Sequence, residues 1–300
     1  MNYTILTAAN DSYIETILDF INSYSLDYKN LIVYNLDLNE SNLQKIISLK
    51  NKYNFTLKTF YFEIYPEHVN LKKFHGLNCS YAFKPIIMYN EANDYYNKDK
   101  VLIWMDSANR FNNDDILHIL SIVNTQGIYS PISAYENTTE SIELNNYSIV
   151  KEYGITYDEH VNKLQSISAN LIGINYLSNA GFNILNKWYE DSLNKDLLIP
   201  DGTNRNNNRQ DQTLLSILMY LYEKNNNIQF NKTTTNVKFW VKKDTPVIDN
   251  NYIPFNLIEK RNNNQLATIY CKNLQEAIIT YANRKNISSA DLLENYIIIN

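Results

Sequence analysis

Glycine is scarce in this chain, with six among 300 residues, and there are only two cysteines and four histidines. So few glycines leave no GxGxxG, GxSxG or P-loop signature, which counts against dinucleotide oxidoreductases, elbow-type hydrolases and P-loop NTPases. Cys79 and Cys271 form no CxxC pair and lie far from any histidine at ligand spacing, so they read as reduced, packed thiols. His68, His75, His118 and His160 are scattered, none at HxH or HExxH spacing, which argues against a zinc site. No apolar run approaches the ~18 residues of a membrane span. The start MNYTILTAAND lacks the basic residues and long apolar stretch of a secretory signal, so the expected location is the cytoplasm. Basic charge is not in excess either: 27 Lys and Arg against 32 Asp and Glu give a net charge of -5, which offers nucleic acid no broad attraction.

What is present is a chain with 44% hydrophobic and 13% aromatic residues, long enough to bury a large core in one α/β domain. YTILTAA (3–9), LIVYNLDL (31–38) and FTLKTFYF (55–62) read as strands, and the amphipathic stretches SYIETILDFINSY and LQKIISLKNKY separate them. Asp11 or Ser12 is expected to cap the first helix and Ser41 to open the second. This βαβαβ pattern predicts a parallel sheet with right-handed crossovers. Pro85 suits the first turn of a helix that Lys84 would precede. VLIWMD (101–106) reads as a central strand buried on both faces. Helices are expected over NNDDILHILSIVN, AGFNILNKWYEDSL and DQTLLSILMYLYEK, with a strand at ISANLIGIN (167–175). Beyond residue 228, KFWVKKD and LATIYC read as strands, LQEAIITYANRK and SADLLENY as helices.

Asp106 ends the most apolar strand, where open α/β sheets gather their ligands. It can equally be a turn or helix-capping aspartate. Arg110 can serve as a bidentate donor to phosphate, or pair with Asp114 or Asp115 on the surface. Thr7, Ala8, Ala9 and Asn10 would form the loop after the first strand, their small side chains letting a ligand's base approach the backbone, with Asn10 offering both a donor and an acceptor. They also read as an ordinary strand end and helix cap. Tyr13 could stack on that base or merely cover its helix. Lys84 could reach ribose or phosphate, or be a solvated lysine. Asp211 is well suited to start the helix that follows it.

Three segments together, ILTAANDSYI, VLIWMDSANRF and RQDQTLLSIL (209–218), resemble the GT-A glycosyltransferases, especially glycosyltransferase family 8 and related uncharacterised families. The likeness covers residues 1 to about 225. It implies a Rossmann-like α/β fold whose mixed, mainly parallel sheet is flanked by helices. In that layout residues 1–125 form a nucleotide-binding half, 126–228 a donor-sugar and acceptor half, and 229–300 a C-terminal extension. It also implies transfer of a sugar from a nucleotide-sugar donor, UDP-linked, to a hydroxyl of a glycan, protein or small molecule.

By the same resemblance, Thr7, Ala8, Ala9, Asn10, Tyr13, Lys84, Asp106, Ser107, Arg110 and Arg209 would bind the nucleotide sugar. Asp211 would hold the sugar hydroxyls, with Gln212 near the anomeric carbon, which fits retention. If Asp211 acted as a general base instead, inversion would follow. Asp106 would bind Mn²⁺ or Mg²⁺. Here the sequence departs from the family: the DxD tripeptide is Asp106, Ser107, Ala108, without its second carboxylate, and the histidine-containing C-terminal metal motif is not recognisable. The alternative is a catalytically inactive relative that binds a nucleotide, a glycan or a partner protein.

Overall fold

A computed structural model describes residues 2–24, 26–73, 80–94, 101–111, 113–133, 145–203, 207–232, 253–260, 265–271, 273–285 and 288–299. The chain divides into two compact units, Met1–Phe239 and Trp240–Asn300.

In the first unit, six strands form one sheet in the order β3-β2-β1-β4-β6-β5. They are β1 (Thr4–Ala9), β2 (Leu31–Asn35), β3 (Thr56–Thr59), β4 (Val101–Met105), β5 (Ile128–Tyr129) and β6 (Leu171–Asn175). The first four are parallel, while β6 runs antiparallel to both β4 and β5. The fold class is therefore α/β with a mixed, mainly parallel sheet flanked by helices, as expected. The helices that cover it are α1 (Ile14–Ser23), α2 (Glu40–Tyr53), α3 (Phe83–Asn93), α4 (Asn113–Gln126), α5 (Asn179–Ser192) and α6 (Asp211–Asn226).

Strand periodicity sorts the core. Along β4, Val101, Ile103 and Met105 enter the layer under α1, α2 and α4, while Leu102 and Trp104 enter the layer under α3, α5 and α6. All five residues are buried, because both faces of the sheet are covered.

Several helix starts differ from the expected caps. Asn10 caps a single 3-10 turn, Asp11–Tyr13, through a hydrogen bond from the Ser12 amide, and α1 itself has no side-chain cap. Asn39, not Ser41, caps α2 by accepting from the Asn42 amide at 2.9 Å. In α3, Lys84 and Pro85 already lie within the first turn. Ser178 caps α5, its hydroxyl accepting from the Gly181 amide at 2.9 Å.

The second unit holds a three-stranded antiparallel sheet, β7 (Ile253–Glu259), β8 (Gln265–Cys271) and β9 (Tyr296–Ile299), in the order β8-β7-β9. The helices α7 (Leu274–Lys285) and α8 (Ser289–Asn295) follow the expected segments, and Leu257, Ile278, Tyr281 and Leu292 form a small core. The predicted strand KFWVKKD lies outside the described residues.

Candidate active site

The site is built where β4 ends. Because side chains alternate along a strand, Asp106 continues the face that Leu102 and Trp104 occupy, beneath the first turn of α3. That turn carries Lys84. Its ammonium lies 2.9 Å from Asp106 Oδ1 and 3.7 Å from Asp211 Oδ2, joining the end of β4 to the first residue of α6. Lys84 also donates to the Ala169 carbonyl at 3.1 Å, and it sits over the rings of Tyr81 and Trp104. The Lys84 and Asp211 side chains are 7% and 5% exposed, against 35% for Asp106, so Asp106 forms the mouth of the cluster and the other two its floor. Lys84 is thus not a solvated surface lysine.

Neighbouring groups fix this cluster. The Trp104 indole donates to Asp106 Oδ1 at 2.8 Å. The Asp106 amide and the Asn109 side-chain amide both donate to the Asn170 carbonyl, at 2.9 and 2.7 Å. On the α6 side, the Trp188 indole donates to the Asp211 carbonyl at 2.9 Å. Gln210 precedes α6 with φ +47° and ψ -109°, a conformation that favours glycine. Its amide is held by Asn208 Oδ1 at 2.9 Å, and Asn208 in turn donates to the Leu198 carbonyl.

The other expected site residues fall in different places. Thr7, Ala8 and Ala9 are strand rather than loop, paired with Val33, Tyr34 and Asn35, so the loop begins only at Asn10. Thr7 is fully buried, and its hydroxyl has no hydrogen-bond partner among the described residues. Tyr13 packs against the core under α1, α2 and α4. Ser107 is buried, and its carbonyl accepts from Arg110.

Arg110 turns inward. It donates to the Ser107 and Asn109 carbonyls at 2.9 and 2.7 Å and to the Thr16 carbonyl of α1 at 3.4 Å, rather than pairing with Asp114 or Asp115. Burial pulls its pKa down while the nearby Asp19 opposes that shift. It therefore braces the loop after β4, with three of its five donors directed at backbone carbonyls. Gln212 lies next to Asp211 but faces Ser166, with Nε2 3.4 Å from the hydroxyl. Arg209 is half-buried, and its amide donates to Thr213 Oγ1.

Sequence patterns leave Trp104, Asn109, Asn170, Trp188 and Gln210 unmarked. Trp104 carried a usable signal, since it stands two residues before Asp106 on the same strand face. Asn109 and Trp188 donate from their side chains to backbone carbonyls, while Asn170 and Gln210 contribute a carbonyl and a backbone conformation, and residue type advertises none of these pairings.

The divalent cation implied by the resemblance needs several hard oxygen ligands. Ala108 stands at the second acidic position of the motif and is buried. Among the described residues, no three His, Cys, Asp or Glu side chains gather as a metal set. Asp106 meets the ammonium through both of its oxygens and accepts the Trp104 indole as well. This donor set does not fit Mn²⁺ or Mg²⁺.

A separate open groove of about 470 Å³ lies past the far end of β6, lined by Ala92, Asn93, Tyr176, Leu177, Ser178 and Phe182 among others. Among the described residues that line it there is no carboxylate, lysine or histidine, whereas charged groups converge at the Lys84 cluster.

No family model matches the sequence, and no curated protein matches it. Among solved structures, the chain is similar to the apo form of the bifunctional glycosyltransferase WbbM, with a TM-score of 0.47 and 12% identity, over 79% of this chain and 42% of that one. It is also similar to the galactosyltransferase LgtC in complex with donor and acceptor sugar analogs, with a TM-score of 0.45 and 14% identity, over 72% of this chain and 70% of that one. A third is core-mannan synthase A of Aspergillus fumigatus in its Mn/GDP form, with a TM-score of 0.41 and 10% identity, over 80% of this chain and 74% of that one.

Proposed function

We propose that the protein is a GT-A glycosyltransferase, related to family 8, that moves a sugar from a UDP-linked donor to a hydroxyl acceptor. The observation that carries this is the convergence of Lys84, Asp106 and Asp211 beyond the end of β4. Sugar transfer breaks the bond between the anomeric carbon and a diphosphate oxygen, and the electron pair leaves with that oxygen. The acceptor oxygen forms the new bond and gives up its proton. Positive charge therefore develops at the sugar and negative charge at the diphosphate, and fixed charges placed beforehand stabilise both.

The residues divide this work. Asp106, at the mouth, meets the ribose. Lys84 faces the diphosphate and stabilises the departing charge. Asp211, on the floor, accepts hydrogen bonds from the sugar hydroxyls, and Gln212 turns its amide from Ser166 to the anomeric carbon when the donor binds. Its depth gives Asp211 a role beneath the donor and favours retention over direct activation of an acceptor. Residues 1–125 seat the nucleotide and 126–228 the donor sugar. The acceptor enters over segments 128–168 and 200–208.

Thermal stability against a panel of nucleotides and nucleotide sugars tests this, because a ligand that binds only the folded state raises the melting temperature. A rise with UDP or one UDP-sugar, lost in Asp106→Asn, is expected. No rise with any nucleotide sinks the proposal.

A further inference from the structure

Resting on the glycosyltransferase reading above, we propose that this site takes its diphosphate donor without a divalent cation, the Lys84 ammonium serving as the resident positive charge. Asp106 is the one acidic residue left of the DxD motif, and its two oxygens lie 2.9 and 3.2 Å from Lys84 Nζ. The same ammonium is 3.7 Å from Asp211. A metal ion entering here would have to displace it from the carboxylates it lies between, or sit beside it as a like charge in a largely buried place. The Trp104 indole occupies Asp106 further, at 2.8 Å. No histidine occurs after His160, so the C-terminal stretch has none to complete a metal set.

The ammonium suits the substituted task. It is a compact charge of a kind that binds phosphate well, and the diphosphate would take over the donors that now reach the two Asp106 oxygens. Its backbone belongs to the first turn of α3, and the rings of Tyr81 and Trp104 flank its charged end, 5.2 and 6.0 Å away. As the diphosphate leaves, its new negative charge meets a cation held by the fold and needing no recruitment from solution.

Two measurements on the full chain decide this. The first is calorimetric titration with UDP and GDP, in EDTA and then in Mn²⁺, alongside Mn²⁺ titrated alone and followed by electron paramagnetic resonance. Nucleotide affinity in the two buffers is expected to agree within about twofold, with no stoichiometric uptake of Mn²⁺ alone. Nucleotide binding that requires Mn²⁺, or tightens about tenfold or more with it, overturns the metal-free site while leaving the glycosyltransferase reading standing. No nucleotide binding in either buffer removes that reading, and this inference with it.

The second measurement uses Lys84→Ala. Removing the internal cation takes away the charge given to the diphosphate, so nucleotide binding in EDTA is expected to weaken about tenfold or more. A folded Lys84→Ala protein that binds nucleotide unchanged in EDTA overturns the role given to Lys84. Should the variant not fold, the titrations of the parent protein still decide the question.

Discussion

The Trp188 indole on α5 donates to the backbone carbonyl of Asp211 at 2.9 Å, pinning the first residue of α6 to its neighbouring helix. Trp188 is fully buried, so the bond is shielded from water. It fixes the Asp211 backbone, from which the carboxylate reaches towards Lys84.

Asp211→Asn keeps the size of the side chain and removes its charge beside a buried ammonium. Turnover is expected to fall at least about a hundredfold. Stability should fall by about 1–3 kcal/mol as Lys84 loses one of its two acidic neighbours. Steady-state kinetics with urea unfolding checks both, and unchanged turnover would remove Asp211 from the site.

Gln210 holds a positive φ of +47° without being glycine. Such strain costs about 1–3 kcal/mol and persists where the surroundings over-determine it. In Gln210→Gly the relief offsets the loss of a buried side chain, so the melting temperature should move by only a few degrees, about 4 or less. The turn then loses its fixed aim, and turnover is expected to drop about tenfold. Full activity would show that the strain does not direct Asp211.

His68 is buried, and its Nε2 lies 2.9 Å from the Ser192 carbonyl, as a donor in the neutral ring. Burial lowers its pKa, with Lys195 adding to the shift and the Ser192 hydrogen bond opposing it. The unfolded chain therefore binds the proton first as pH falls below the ordinary value of 6.5, and stability is lost from there down through the lower folded pKa. His68→Gln, which keeps a donor, should flatten the fall of the melting temperature as pH drops below 6.5, relative to the parent. Parallel curves would mean that other groups set the slope.

Gly181 lies in the first turn of α5, where an added Cβ would stand 2.1 Å from the Asn175 carbonyl oxygen. That oxygen belongs to backbone ending β6 and cannot swing away. Gly181→Ala is expected to destabilise by about 3 kcal/mol or more through forced shifts in packing. An unfolding midpoint equal to the parent's would show that α5 can move aside.

Much of the sheet was legible because buried parallel strands are written as apolar runs, and VLIWM is buried at every position. The far end of β1 was less clear. Small residues at Thr7, Ala8 and Ala9 suggested a loop, but their backbone pairing with β2 keeps them strand. Within the site, Asp106 and Asp211 stood out as carboxylates at element ends. Lys84 was legible as a candidate cation but not as a buried one, because its burial depends on α3 lying over Trp104, a tertiary fact with no local pattern. Arg110 misled for a related reason: a charged side chain in a polar stretch suggests solvent, whereas this one satisfies backbone carbonyls from three places.

The antiparallel β6 also governs when the site exists. Lys84 and Asp106 are 22 residues apart and meet as soon as β4 is in place, but the Ala169 carbonyl is 85 residues from Lys84, and Asp211 comes later still. As the chain emerges during synthesis, the parallel strands can assemble with a half-built charge cluster open to water. Closure waits for the return of β6 and the docking of α6, contacts that carry a larger loop-closure entropy. The candidate site is thereby among the last parts of the first unit to form, and a chain that ends before α6 would keep the parallel strands without the carboxylate that completes the cluster.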